Sequence, residues 1–152
     1  MNYIVKVLVV ILMTITSSLY AAELEPLKQF INRKPLFFSD KNDTEMLASR
    51  CSALYLVLGS RIEAVPKSKE VQDISKEYAD QAVVYDQVRE VISKVTKSSI
   101  TQQKEFAQNY ANMTLINWKK HDDIFKGMVN DDLDVCQNNY IYFKKLAVNL
   151  SK

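Results

Sequence analysis

Residues that break helices are scarce in this chain, and their scarcity narrows its folding options more than any other feature. Across 152 residues there are two glycines, Gly59 and Gly127, and three prolines, Pro26, Pro35 and Pro66. Between these points apolar residues recur at steps of three and four, the spacing that lines one face of an α-helix. Long amphipathic helices are the reading that follows.

The pattern divides the chain into one short and four long segments. Pro26 to Ile31 is a short amphipathic piece with Leu27, Phe30 and Ile31 on one side, followed by a loop from Asn32 to Lys41. The first long helix is expected to open at Asn42 or Asp43, whose side chain can accept first-turn amides. Its stripe is Leu47, Cys51, Leu54, Leu58, Ile62 and Val65, and Pro66 ends it. The second starts near Ser68, with Glu70 and Asp73 suiting the positive end of its dipole. Val71, Ile74, Tyr78, Ala82, Tyr85, Val88, Ile92 and Val95 make its stripe, and Ser98-Ser99 breaks it. The third is expected from Thr101 to Phe125 or Met128, with Phe106, Tyr110, Met113, Asn117, His121 and Ile124 on one seam. Gly127 lies where a helix can stop. Asn130, Asp131 and Asp132 then open the last helix, whose seam is Leu133, Cys136, Tyr140, Phe143, Ala147 and Leu150.

Residues 1–22 have a different character. Lys6 precedes a short apolar run, Val7 to Met13, and small residues lead to Tyr20-Ala21-Ala22-Glu23. A positive charge, a brief apolar core and a small-residue exit make a secretory signal peptide, with cleavage expected after Ala21 or Ala22. The alternative is retention of Ile4 to Leu19 as an anchor. Residues 23–152 then form one domain, long enough to build a core of its own.

The charge balance excludes several functions. The chain carries 20 Lys and Arg against 18 Asp and Glu, a formal net charge of +2. A protein built to hold nucleic acid shows a clear basic excess or stripe, so that partner is not expected. Neither glycine sits in a glycine-rich motif of the kind that cradles phosphate. One histidine with no embedding motif gives no catalytic triad. No enzymatic activity is expected.

Cys51 and Cys136 both fall on apolar seams, of the first and last long helices. Two cysteines in an exported chain usually pair, and the matched seam positions let these two face one another. The fold expected is all-α: an up-and-down four-helix bundle with a short extra N-terminal helix, stapled by one disulfide. No Cys-x-x-Cys motif is present, so the bond is read as structural.

Candidate binding residues are few. His121, in Trp118-Lys119-Lys120-His121-Asp122-Asp123, sits at the edge of an apolar face. With Trp118 and Met113 it marks a candidate small-ligand or haem site in the bundle interior, where Met46, Met113 or Met128 supplies a second axial ligand. Against this, methionines on apolar stripes are ordinarily packing, and no cofactor or metal is expected. The acidic group Asp131-Asp132 has a structural reason as a helix start, and it lacks the glycine of a calcium loop. Phe37 and Phe38 cannot both follow one helical seam, so they either tuck under the bundle as a lid or form a partner-binding patch. Val83, Val84 and Val91, with Leu56, Val57 and Ile116, mark a second apolar face for the N-terminal segment or another subunit to cover.

In plan, a leader followed by helices tied by one cysteine pair, the chain resembles small bacterial periplasmic acid-stress chaperones. Its cysteines are far more widely spaced than theirs and no residue motif is shared. The function expected is that of a small periplasmic or secreted, non-catalytic protein, monomeric or homodimeric. It would bind a protein partner in an envelope-stress or regulatory role; the alternative is a small-ligand or haem carrier.

Overall fold

The computed structural model describes residues 24–34, 36–63, 68–96 and 100–150. Residues 1–22, read above as a signal peptide, lie outside them with the expected cleavage site, as do Pro66 and Ser98-Ser99. Helix α1 is Leu27–Asn32, a 3₁₀ turn follows at Phe37–Ser39, and the long helices are α2 (Lys41–Glu63), α3 (Lys69–Thr96), α4 (Ile100–His121) and α5 (Met128–Leu150).

The helix starts follow from local chemistry, not always from the residue expected. Asp40, not Asn42 or Asp43, caps α2: its Oδ1 accepts the amides of Asn42 at 2.7 Å and Asp43 at 3.3 Å. Helix α3 starts beside Ser68 as expected, and Ser68 caps it, its Oγ accepting the Val71 amide at 3.3 Å. Helix α4 stops earlier than its apolar seam suggests, because Asp122 turns into the left-handed region at φ 54°. Asp is among the few non-glycine residues that enter that region readily. Gly127, also at φ 54°, does not end α4 but leads into α5, which begins two residues before Asn130.

The four long helices run up, down, up and down. Glu45 near the start of α2 accepts from the Thr96 hydroxyl at the end of α3 at 2.6 Å, so these two are antiparallel. Ser52 accepts from Gln103, and Arg61 reaches the Ala111 carbonyl, which sets α4 parallel to α2. Helix α5 runs parallel to α3, with Tyr140 beside Gln81 and Lys144 beside Val91. Helix α2 is the hub: the other three long helices and the 3₁₀ turn all pack on it.

Its interior is filled. Tyr55, Tyr85, Tyr110 and Phe143 are fully buried with Leu47, Leu54 and Leu58. Tyr85 joins both halves, stacking on Tyr55 at 5.9 Å and meeting Phe143 at 4.7 Å, while its hydroxyl donates to the Cys136 carbonyl at 2.5 Å. The expected disulfide is present: Cys51 and Cys136 are bonded, with their Cα atoms 5.6 Å apart. Closing a loop of 85 residues contributes about 4 kcal/mol in the chain-entropy model.

Helix α1 packs on α5, and an aromatic chain links the two. Phe30, Phe37, Phe38 and Tyr142 meet in succession at 5.6, 5.2 and 4.9 Å between ring centres. The second apolar face is therefore covered only in part. Val84 and Val91 lie half-buried beside Ala147 and Val148, and Val57 is buried, whereas Leu56, Val83 and Ile116 stay exposed. Among the described residues no helix is long and apolar enough to cross a membrane.

Candidate functional site

Two places on the α2–α4 side of the bundle combine chemistry with shape. The first is a groove of about 810 Å³ where the end of α2, the start of α3 and the end of α4 converge. Ile62 comes from α2, Val71, Ile74 and Tyr78 from α3, and Thr114, Leu115 and Trp118 from α4. Ile124 and Phe125 close it from the α4–α5 connection.

That connection is held in place by specific hydrogen bonds. Asn117 on the last turns of α4 donates from Nδ2 to the carbonyls of Ile124 at 3.3 Å and Lys126 at 2.9 Å. Asp123 accepts the Phe125 amide at 2.8 Å. Asn117 thus folds the connection back against its own helix and presents Ile124 and Phe125 to the groove.

The walls are mostly apolar and partly open to water. Trp118 is 54% exposed, and Leu115 and Ile74 are exposed beside it. Polar groups stand at the rim: Arg61, Asp122 and Asp123. Arg61 donates to the Ala111 carbonyl at 3.3 Å, and no carboxylate among the described residues lies in ion-pair range of it. Burial, reinforced by nearby Glu77, holds the Tyr78 hydroxyl above its ordinary pKa, so it is a neutral donor at physiological pH.

The second place is a buried polar cluster under the N-terminal segment. Arg50 of α2 forms an ion pair with Asp132 of α5, and both side chains are almost wholly buried. The Tyr110 hydroxyl donates to Asp132 Oδ2 at 2.6 Å and accepts from Arg50 Nε at 3.2 Å and Nη2 at 3.1 Å. Asp132 Oδ1 accepts the Leu27 amide at 2.7 Å, and Arg50 Nη1 donates to the Glu25 carbonyl at 2.6 Å. Burial raises the Tyr110 hydroxyl far above its ordinary pKa, and the hydrogen bond it donates to Asp132 adds to this. Every polar group here has a partner, and the chain around residues 25–27 is tied directly to α2 and α5, with Tyr110 bringing α4 into the same cluster. Asp132 is therefore not a helix-start residue exposed with Asp131; it is the counter-ion of Arg50.

The residues singled out in the sequence are scattered by the fold. Of the trio His121, Trp118 and Met113, only Trp118 lines the groove; His121 is exposed at the end of α4, and Met113 packs half-buried against the core. Phe37 is buried as part of the lid, and Phe38 remains 41% exposed with its ring against Tyr142. Cys51 and Cys136 meet. Arg50, Arg61, Asn117 and Asp132 carry the most specific geometry, yet nothing local in the sequence distinguishes them. Among the described residues no group of three His, Cys, Asp or Glu side chains is placed to hold a metal ion. Comparison with protein-family models, curated proteins and solved structures gives no match.

Proposed function

We propose that this chain is a periplasmic or secreted, non-catalytic binding protein that seats large apolar side chains of a partner polypeptide in the Trp118 groove. The observation that carries this reading is the groove itself: apolar walls, an exposed tryptophan and an arginine at the rim. Tryptophan and arginine are the residues most often found to anchor protein interfaces, and an exposed cluster of this kind is costly without a partner to cover it. The disulfide supports an oxidising compartment, and the apolar leader supports export. The role that suits such a protein is an envelope-stress or regulatory one. The contact surface moves accordingly, from Phe37 and Phe38 to Trp118, because Phe37 serves as internal packing.

A second reading, a carrier of a small apolar ligand, is favoured by one observation. The groove volume of about 810 Å³ lies in the range of small-molecule sites, which span roughly 300–1,000 Å³. That site is the groove and not the bundle interior, which is filled by aromatic rings.

Trp118 is the only tryptophan in the chain, so its fluorescence reports directly on the groove. Peptides selected from a displayed library on the oxidised protein should carry two or three spaced large apolar residues and shift Trp118 emission to the blue. Leu115→Ser and Ile74→Ser should each weaken such peptides roughly tenfold, about 1.4 kcal/mol. Selected peptides that leave the emission unmoved would remove the groove from the proposal. A shift produced by small apolar probes and by no peptide would decide for the carrier.

A further inference from the structure

Where the 3₁₀ turn meets α5, a group of apolar side chains stands out from the surface, and none of them lines the Trp118 groove. Leu36, at the entry to the turn, is 75% exposed, more than any other large apolar side chain among the described residues. Phe38, from the same turn, lays its ring against Tyr142 of α5 at 4.9 Å, and both rings remain exposed. Ile141, about 100° round the helix from Tyr142, is exposed as well. Beneath them Phe37 is buried and meets Phe38 at 5.2 Å, so the protruding groups stand on an anchored base.

The charge around this patch is an independent observation. After Asp134 the chain carries no acidic residue, whereas Lys144 and Lys145 follow Tyr142 directly on the last turns of α5. Lys41 stands two residues beyond the 3₁₀ turn, at the start of α2. Among the described residues none of these three lysines has an acidic partner. The nearby acids are engaged elsewhere: Asp40 accepts two first-turn amides of α2, and Asp43 pairs with Lys34. Glu90, which shares a hollow with Lys144, pairs with Lys94 at 3.2 Å. The apolar patch is edged by unpaired positive charge.

We infer that this patch docks on the surface of an anionic phospholipid bilayer, with Leu36, Phe38 and Ile141 entering the acyl boundary and Lys144 and Lys145 lying at the phosphates. Charge complementarity calls for an anionic occupant, and the shape of the apolar part selects a bilayer. A protein partner would need a cavity to receive a side chain as exposed as Leu36; the bilayer interface yields to protruding apolar groups without one. Aromatic rings such as those of Phe38 and Tyr142 suit the headgroup level. Lysine stems lie along apolar surface while their ammonium groups stay in water, and as point charges they need no fixed bidentate partner. The contact is peripheral, since no described helix is long and apolar enough to cross a membrane.

Sedimentation of the oxidised, processed chain, which keeps every described residue, with vesicles of phosphatidylcholine containing about 30 mol% phosphatidylglycerol tests the assignment. Binding should saturate, exceed that to phosphatidylcholine alone roughly tenfold, and weaken as salt rises. Leu36→Asp, at so exposed a site, should leave the melting temperature unchanged and weaken binding roughly tenfold. Lys144→Gln with Lys145→Gln should remove most of the preference for anionic vesicles. Leu36→Trp in a Trp118→Phe background should shift its emission to the blue on vesicles and be quenched by brominated lipid, while Trp118 of the parent responds to neither. Competition by glycerol 3-phosphate would replace the bilayer by a free phosphate compound and overturn the proposal. Equal vesicle binding by the parent and Leu36→Asp, or a response from Trp118 and not from the Leu36→Trp variant, would also overturn it. So would absence of saturation by about 5 mM lipid; a dimer that Leu36→Asp dissociates would then give the patch to a second copy of the chain.

Discussion

Arg50 and Arg61 lie about three turns apart on α2, on the face that looks toward α4, and they have opposite fates. Arg50 is buried among Asp132, Tyr110 and the Glu25 carbonyl, with its charge balanced and its donors used. Arg61 stands at the groove rim with a single long bond to the Ala111 carbonyl and no carboxylate partner among the described residues. The same side chain on the same helix face thus closes the structure in one place and leaves it open in another. Residues 25–27 account for the difference at Arg50, because that segment lies over the cluster and removes it from water. Among the described residues nothing equivalent covers Arg61 or Trp118.

The sharpest way to break this comparison is to remove the counter-ion. Asp132→Ala leaves the Arg50 guanidinium buried without its carboxylate and takes away the acceptor of the Leu27 amide. Breaking a buried pair from one side typically costs about 3–5 kcal/mol. Denaturant unfolding should therefore show a loss of that order, with amide exchange quickened around residues 25–33. A loss below about 1 kcal/mol would mean that water already reaches the cluster and that Arg50 is no more buried than Arg61.

The disulfide holds the same junction. Cys51 follows Arg50 directly, and Cys136 lies one turn beyond Asp132, so the covalent bond and the ion pair both fasten α2 to α5. Cys51→Ser with Cys136→Ser should cost up to about 4 kcal/mol in the fully oxidised comparison. Combined with Asp132→Ala, the losses should fall short of their sum, since neighbours that share a contact are not additive. Strict additivity in the triple variant would show the two fastenings to be independent.

Alkaline pH separates buried from accessible tyrosines and extends the contrast beyond arginine. Burial raises the hydroxyls of Tyr55, Tyr85 and Tyr110 well above 10, and those of Tyr78 and Tyr140 by lesser degrees. In the unfolded chain all five release protons near pH 10, whereas the native state retains them. Because the native state then binds more protons, stability is unaffected below about pH 10 and falls as pH rises past it. Absorbance at 295 nm should show these tyrosines ionising together with loss of helicity, later than those in the unfolded protein. Ionisation of the Tyr110 class at pH 10 with the helices intact would contradict the burial on which the Arg50 cluster depends.

What could be read in the sequence follows the same division. The four long helices and the Cys51–Cys136 pairing were legible because each rests on a simple rule: apolar steps of three and four, and two cysteines at matched positions on apolar seams. The end of α4 was not, because Asp122 performs a turn usually signalled by glycine, while the nearby Gly127 is used to start α5. Arg50 and Asp132 are 82 residues apart, and each reads locally as an ordinary surface charge; only the crossing of α2 and α5 makes them a pair. Trp118 was recognisable as a candidate from its chemistry. Its true neighbours were not, since Ile62, Ile74 and Phe125 belong to three separate segments and meet only when α2, α3 and the α4–α5 connection are packed together.

The smallest effect on stability should come from Arg61, and it is the most informative for function. Arg61→Ala removes one long hydrogen bond at an exposed site, so unfolding free energy should stay within about 0.5 kcal/mol of the parent. Its effect on binding should be larger than its effect on folding: peptides selected on the Trp118 groove should lose severalfold affinity, chiefly where they carry an acidic residue beside their apolar anchors. Arg61→Lys should restore part of that loss, because charge is kept while the planar fork is not. If instead Arg61→Ala destabilised the protein as severely as Asp132→Ala, Arg61 would belong with Arg50 as a structural fastening, and the groove would have no cationic rim group with which to recognise an acidic partner residue.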